Sequence, residues 1–135
     1  MTTDVETEAW LAKAMESLAG AASEHTNGRY NNATNRCYYA CFQAAIAALL
    51  AAGITPSNPH SGWGHAFVQA QFAGQLIGRR KLYPAELRNV LSRLLSLRQT
   101  ADYEPRPIPQ IQATRILRQA RAFVAAIEAR GGEPR

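Results

Sequence analysis

The stretch "CYYACFQAAIAALLAA", residues 37–52, decides the fold because it is apolar around its whole circumference. Gln43 is its only amide or charged side chain, and alanine is its commonest residue. A helix that is apolar on every side must be surrounded by other helices. The stretch is also too short to span a bilayer comfortably. We therefore predict a buried central helix over about residues 29–52 of a soluble protein, closed by Gly53.

Amphipathic patterns on both sides of this helix predict its partners. Apolar residues recur at three- and four-residue spacing over about residues 4–23, over 63–78, from Pro84 to a stop at Glu104-Pro105, and from Ala113 to Ile127. β-Branched residues are scarce, so we expect almost no strand. We predict an all-α fold, an antiparallel bundle of four to five helices. It forms one domain over residues 1–135, with a core of about 4–130 and a flexible tail at 131–135.

The net charge is +5, and basic residues are concentrated in the third quarter of the chain. They are Arg79, Arg80, Lys81, Arg88, Arg93 and Arg98. This concentration favours a polyanionic partner, RNA in particular, and we expect the cluster at 79–81 to guide its backbone. The alternative is that these side chains only solvate helix faces.

The remaining composition argues against secretion and against a metal site. The N-terminus "MTTDVETEAW" is acidic and lacks the basic-then-apolar pattern of a signal peptide, so we expect a cytoplasmic protein. Cys37 and Cys41 lie four residues apart on one helix, where disulfide geometry is poor, and we expect small reduced core residues. Two thiols without nearby histidines make no zinc site. We expect neither a metal nor a cofactor, and no membrane association.

The segment "SLRQTADYEPRP", residues 96–107, ends the apolar stripe of the fourth helix in charges. One turn beyond Leu94 the stripe reaches Arg98, and four residues later it reaches Asp102. An aspartate in the last turn opposes the helix dipole, and such local conflicts concentrate at functional sites. Arg98 and Asp102 are therefore predicted to face inward or into a cleft. The alternative is a surface ion pair that contributes little.

Three motifs in order resemble the small stand-alone HEPN proteins of prokaryotes. They are "NRCYYACFQAA" (35–45), "HSGWGHAFVQAQF" (60–72) and "LRQTADYE" (97–104), followed by the closing amphipathic helix. The resemblance implies a helical bundle that dimerises. In active members an arginine and a following histidine from both protomers line a shared cleft and cut RNA without metal, through attack of the ribose 2′-hydroxyl. Many are toxins paired with a nucleotidyltransferase-like antitoxin, which in some relatives modifies a tyrosine after the motif.

Carried onto this sequence, the resemblance makes Arg98 the motif arginine, while Asp102 and Tyr103 stand in the region of the motif histidine and tyrosine. No histidine follows Arg98, and a carboxylate is a poor base at neutral pH. His60 matches the "H-x-G" position of this branch and is the candidate substitute, with His65 about one turn further on. The alternative for both is a solvated histidine, and His25 is interpreted as a surface residue.

The start of the central helix supplies further polar candidates. Asn35 and Arg36 match the polar positions before the paired tyrosines of this branch, and we assign them to RNA or nucleotide binding. An arginine entering an apolar helix needs a carboxylate, for which Asp102 is the candidate; in that case Asp102 is structural. The aromatic residues Tyr38, Tyr39 and Phe42 are interpreted as core or dimer interface rather than as base-stacking platforms.

Two functions follow from these residues. The first is a dimeric RNA-acting protein, a toxin-like ribonuclease or its degenerate relative, with Arg98 on the scissile phosphate and Asp102, Tyr103 or His60 at the 2′-hydroxyl. The second is a non-catalytic helical module that binds a nucleotide or a nucleotidyltransferase partner, favoured by the missing histidine and by the position of Tyr103 at a helix end.

Overall fold

The structure, a computed structural model, describes residues 2–58 and 62–130 and consists of helices joined by short connections. The five α-helices are α1 (Thr2–Thr26), α2 (Tyr30–Ala51), α3 (His65–Gln71), α4 (Val90–Tyr103) and α5 (Gln110–Arg130). A π-helix (Phe72–Arg79) continues α3, and a 3-10 turn (Ala85–Leu87) precedes α4. No strand occurs in these two ranges, which confirms the all-α prediction. The predicted tail at 131–135 lies outside the described residues.

Helix α2 is the centre of the bundle, as its apolar circumference predicts. Fourteen of its 22 residues are buried, and α1, α4 and α5 pack around it. Its largest fully buried side chains are Tyr38, Ile46 and Leu49. Burying a side chain of this size contributes about 1.5–3 kcal/mol. The apolar circumference is thus the main reason that the neighbouring helices assemble here.

Both ends of α2 are set by glycines in the left-handed region of backbone space. Gly28 has φ of 76° in the turn after α1, and Gly53 has φ of 81° after α2. An L-amino acid other than glycine adopts these angles at a cost, so both glycines stop a helix where the chain must reverse. The predicted end of the central helix at Gly53 therefore agrees with the structure, and Gly28 ends α1 in the same way.

The fourth helix begins later than the sequence predicts. We expected it to start at Pro84, but α4 starts at Val90. Pro84 is extended, with ψ of 152°, and only the 3-10 turn follows, closed by the bond from Leu87 N to Pro84 O at 3.1 Å. This turn buries Leu87 in the core. Leu87 therefore fits the apolar spacing of the predicted helix, although it lies in a 3-10 turn before the helix begins.

The π-helix Phe72–Arg79 is a second feature that the sequence did not predict. Phe72, Leu76 and Ile77 are buried from it, and Gly74 is exposed with no atom within 4 Å of where a Cβ would stand. Apolar residues four and five apart fit an α-helix as well as a π-helix over so short a segment. Periodicity predicted a helix at 63–78 correctly but could not distinguish its type.

The connection after α4 brings the end of that helix close to the start of α2. Glu104 is extended, with ψ of 148°, as the residue before a proline prefers. Further on, the backbone N–H of Ile108 donates to Asn31 Oδ1 at 2.9 Å. Because Asn31 is in the first turn of α2, this bond holds the loop against the part of α2 that carries Asn35 and Arg36.

Cys37 and Cys41 are buried and unbridged in the core, as expected of small packing residues. Burial raises the pKa of the Cys37 thiol to about 12, against which the nearby charge of Arg121 acts only weakly. The thiol is therefore protonated at neutral pH. Within the two described ranges, no helix combines the length and the apolar character needed to cross a membrane.

Candidate functional site

Arg98 extends from the last turns of α4 into a group of tyrosine rings. Its side chain is only 12% exposed. The guanidinium carbon lies 5.8 Å from the ring centre of Tyr38, 5.7 Å from that of Tyr39 and 5.9 Å from that of Tyr103. Distances below about 6 Å allow cation–π attraction. Two tyrosines of α2 and one of α4 thus hold the cation in place. We call these residues, with Asn35, His65 and Asp102, the Arg98 site.

Asp102 is the carboxylate partner of Arg98. Its Oδ2 lies 3.2 Å from Arg98 Nη1, one helical turn along α4. Asn35 Nδ2 donates to the same carboxylate, at 3.1 Å to Oδ2 and 3.4 Å to Oδ1. A quarter of the Asp102 side chain remains exposed. The sequence left two alternatives, inward-facing side chains or a surface ion pair. The structure combines them, because Arg98 and Asp102 form an ion pair and the arginine of that pair points inward.

The expected direct pair between Arg36 and Asp102 is wrong. Arg36 donates instead to Asn35 Oδ1, at 3.0 Å from Nε and 2.8 Å from Nη2, and its guanidinium lies 5.2 Å from the ring centre of Tyr39. Asn35 therefore stands between them, accepting from Arg36 and donating to Asp102. The physical reason is that the amide nitrogen of Asn35 already donates to the Asp102 carboxylate. The amide oxygen of Asn35 is then the acceptor that remains for Arg36.

A histidine enters the site from α3, and it is His65. The hydroxyl of Tyr38 and Nδ1 of His65 share a hydrogen bond. The imidazole lies against Phe42, with ring centres 4.8 Å apart, and 5.5 Å from the ring centre of Tyr38. His65 is partly exposed. Of the two histidines considered as substitutes, the structure brings this one beside Arg98, while His60 lies outside the described residues.

The pKa shifts of His65 and Tyr38 keep the imidazole neutral and the phenol protonated at pH 7. Burial lowers the pKa of His65 below its ordinary 6.5, and the charge of Arg98 lowers it further, so the ring is neutral at pH 7. Burial raises the pKa of Tyr38 above its ordinary value, so the phenol keeps its proton, and the side chain of Gln69 also hydrogen-bonds to it. With both groups neutral, a single hydrogen bond joins the phenol to Nδ1, and its direction follows the tautomer of the imidazole.

The other predicted residues lie elsewhere. Arg79, Arg80 and Lys81 are exposed at the end of the π-helix, and Arg80 Nη1 donates to Ala52 O at 2.9 Å, which satisfies a carbonyl at the end of α2. No contact between described residues joins this cluster to the Arg98 site. His25 bonds to Thr114 Oγ1 at 2.8 Å, between α1 and α5.

Tyr103 combines contact with exposure. Its ring lies beside Arg98, yet the residue is 76% exposed. A molecule approaching the Arg98 site from solvent would meet this ring first.

Two known proteins and one family model are similar to this chain over most of its length. The chain is 34% identical over 122 residues to a protein named "UPF0332 protein" from Thermotoga maritima, which covers 90% of this chain and 87% of the relative. It is 29% identical over 127 residues to "Putative toxin MJ0605" from Methanocaldococcus jannaschii. This alignment covers 91% of this chain and 87% of the relative. The family model of the HEPN domain matches residues 7–130. This match covers nearly the whole bundle described above, and the chain belongs to the HEPN family.

Proposed function

We propose that this protein acts on RNA and that Arg98 binds a backbone phosphate. The observation that carries the proposal is that the guanidinium of Arg98 is only partly paired. Arg98 Nη1 is paired with Asp102, but its buried Nε has no hydrogen-bond partner among the described residues. A buried donor left unpaired costs about 1–3 kcal/mol. A phosphate oxygen would satisfy this donor once the guanidinium turns toward the incoming anion, because Nε itself is covered in the unbound protein.

The neighbouring groups supply the rest of a phosphate site. In the tautomer that accepts from Tyr38 at Nδ1, His65 carries its proton on Nε2 and would be a second donor for a phosphate oxygen, and together with Arg98 it would stabilise the charge that develops during cleavage. Asp102 would accept the proton of the 2′-hydroxyl as this oxygen attacks phosphorus. The 5′-oxygen then leaves and takes a proton from water, giving a 2′,3′-cyclic phosphate and a 5′-hydroxyl. We expect slow turnover, because a carboxylate is a weak base at neutral pH.

We also propose that the protein is a homodimer and that the two Arg98 sites share one cleft, as the resemblance implies. The toxin designation of the Methanocaldococcus jannaschii relative supports growth arrest as a readout in cells. A mass measurement under native conditions tests the dimer directly, and a monomer would contradict a shared cleft.

The decisive experiment compares RNA cleavage by the wild type, Arg98→Ala and Arg106→Ala. Arg106 is a matched control, because it is an arginine near the same helix end but 75% exposed and paired with Glu104. We expect cleavage of labelled RNA by the wild type and the control, in the presence of a chelator, and none by Arg98→Ala. Intact RNA with the wild type, or equal cleavage by Arg98→Ala, would remove the catalytic proposal.

A second candidate function is favoured by one observation, the 76% exposure of Tyr103 beside Arg98. In this version the chain is a non-catalytic module, and Tyr103 is contacted or modified by a nucleotidyltransferase partner. Co-expression with such a partner, followed by mass spectrometry, should then show a nucleotide adduct that Tyr103→Phe lacks. An unmodified Tyr103 in a stable complex would leave contact alone as its role.

A further inference from the structure

A second group of arginines lies on the outer side of α5, away from the tyrosines of the Arg98 site. Arg115, Arg118 and Arg121 are spaced three residues apart and are all exposed. At this spacing neighbouring side chains share one side of the helix, about 4.5 Å apart along its axis. Arg93 of α4 is exposed as well and lines the same hollow as Arg115 and Arg118. We call these four residues the α5 arginine surface.

Arg118 connects two hollows on this surface. One lies between α1 and α5, where Arg118 and Arg121 stand with His25. The other lies between α4 and α5, where Arg118 stands with Arg93 and Arg115. Arg118 lines both hollows, so the two basic hollows adjoin each other on the surface of α5.

The charges of this surface are not neutralised by the protein. Ion pairs in the described part of the chain join Arg29 to Glu24, Arg98 to Asp102 and Arg106 to Glu104. None of the four arginines of the α5 arginine surface has a carboxylate within 4.0 Å among the described residues. Uncompensated like charges on one surface repel one another and attract a polyanion. A polyanion would remove that repulsion and release its own counterions on binding.

The chemistry of the lining favours nucleic acid over an acidic protein. Between the arginines the two hollows present the amides of Gln112 and Gln119 and the hydroxyl of Thr114, with the apolar side chains of Leu97, Ile116 and Leu117 beside them. Ile111, which is 64% exposed, lies at one edge. Protein interfaces are depleted of charge at their centre, where they bury apolar and aromatic residues. Here the centre is the charged Arg118, as expected for a surface that contacts phosphates.

Helix α4 connects this surface to the Arg98 site. Leu97 lines the α4–α5 hollow, and the next residue, Arg98, points toward α2. Consecutive helical residues are turned by about 100°, and a helix with its side chains is roughly 10 Å across. A few nucleotides can therefore pass from one side of α4 to the other.

We infer that the α5 arginine surface binds the RNA backbone that flanks the phosphate held by Arg98. This inference rests on the proposed function for the choice of RNA, but it concerns affinity and not cleavage. The surface would hold phosphates by charge, without reading bases, so its contribution should fall as salt rises.

The test is a salt-dependent binding titration of the full chain with a labelled single-stranded RNA. Removing three phosphate contacts should reduce the slope of log affinity against log salt by about 2, since each contact contributes about 0.7. We expect Arg115→Gln/Arg118→Gln/Arg121→Gln to show this change and to bind at least about tenfold more weakly in about 50 mM salt. The single variant Arg118→Gln should show about a third of the slope change, and it serves if the triple variant does not fold.

A matched control removes the same charge elsewhere. Lys13→Gln/Arg29→Gln/Arg106→Gln also removes three exposed positive charges, from residues that lie outside both the Arg98 site and the predicted cluster at 79–81. We expect a distinctly smaller change of slope from this variant. If the two triple variants lose affinity equally, binding reflects net charge alone and the inference is overturned.

The remaining outcomes separate this inference from the proposed function. RNA binding that depends on the α5 arginines without any cleavage would support the inference and remove the catalytic proposal. Cleavage that depends on Arg98, with RNA affinity and slope unaffected by the α5 variants, would do the opposite. If the α5 variants keep RNA affinity but lose binding to an acidic protein partner, the surface has a different occupant and the inference is wrong.

Discussion

Arg98 and Arg118 are the same residue type in one small bundle, yet their surroundings differ in every respect. Arg98 is 12% exposed, ion-paired and enclosed by tyrosine rings, whereas Arg118 is exposed with no carboxylate near it among the described residues. An enclosed guanidinium can fix one anion in one orientation. An open one can attract many phosphates without orienting them. The difference predicts that the two arginines affect different quantities when they are replaced.

The largest effect is expected on the rate of RNA cleavage. Arg98→Ala should lower kcat by at least about 10²-fold, the usual loss when one donor to a developing oxyanion is removed. Arg98→Lys should rescue little, because an ammonium lacks the fork of donors. Arg118→Gln should act mainly by raising KM. Single-turnover and steady-state kinetics distinguish these cases, and an Arg98→Ala defect confined to KM would show that the comparison is wrong.

The next effect is on stability, and it tests how enclosed Arg98 is. Asp102→Ala leaves a largely buried guanidinium without its partner, so we expect a loss of about 1–2 kcal/mol in the free energy of unfolding. The control is Glu104→Ala, which breaks an exposed pair with Arg106 and should cost less than about 0.5 kcal/mol. Urea denaturation of both variants measures the difference. Equal losses would mean that the Arg98 pair is as solvated as the exposed one.

A smaller effect is expected on the pH dependence of stability. His65 has a pKa below 6.5 in the folded protein, so the unfolded chain binds a proton more readily. The stability from the neutral ring is present above pH 6.5 and is lost as the pH falls through the lower folded pKa. Replacing the ring by His65→Gln should make the unfolding free energy fall less between neutral and mildly acidic pH. In His25→Gln the wild-type dependence should remain, because His65 is still present.

The sequence predicted the Arg98 site only in part, and the reason is the distance over which each signal acts. The step from Leu94 to Arg98 and Asp102 is a local periodicity, so the inward direction of Arg98 could be read directly. Neither the hydrogen bond from Asn35 to Asp102 nor the approach of Arg98 and His65 to the same ring, that of Tyr38, leaves a local signal. Both depend on how α2, α3 and α4 pack, and no spacing within one helix encodes that.

The predictions for the helices also divide into those that rest on local signals and those that depend on packing. The apolar circumference of α2 and the proline after Glu104 act on their own segments, and both predictions are confirmed. Leu87 was placed in a helix because its spacing fits the stripe of α4, but its burial is achieved from a 3-10 turn. Three members of the α5 arginine surface, Arg115, Arg118 and Arg121, do follow a local spacing, but the sequence drew attention to the consecutive cations at 79–81 instead, and the approach of Arg93 from α4 leaves no local signal.

The π-helix makes one segment sensitive to its length while leaving one of its positions, Gly74, free to change. Gly74 faces open space, so a side chain there meets nothing. Deleting a single residue between Phe72 and Arg79 would instead let the segment relax into an α-helix and turn everything after it by about 100°. Tyr83 and Leu87 would then approach the core from the wrong side. Among relatives of this protein, point changes at Gly74 should be frequent, whereas a gap in this segment should occur only with a compensating insertion before α4.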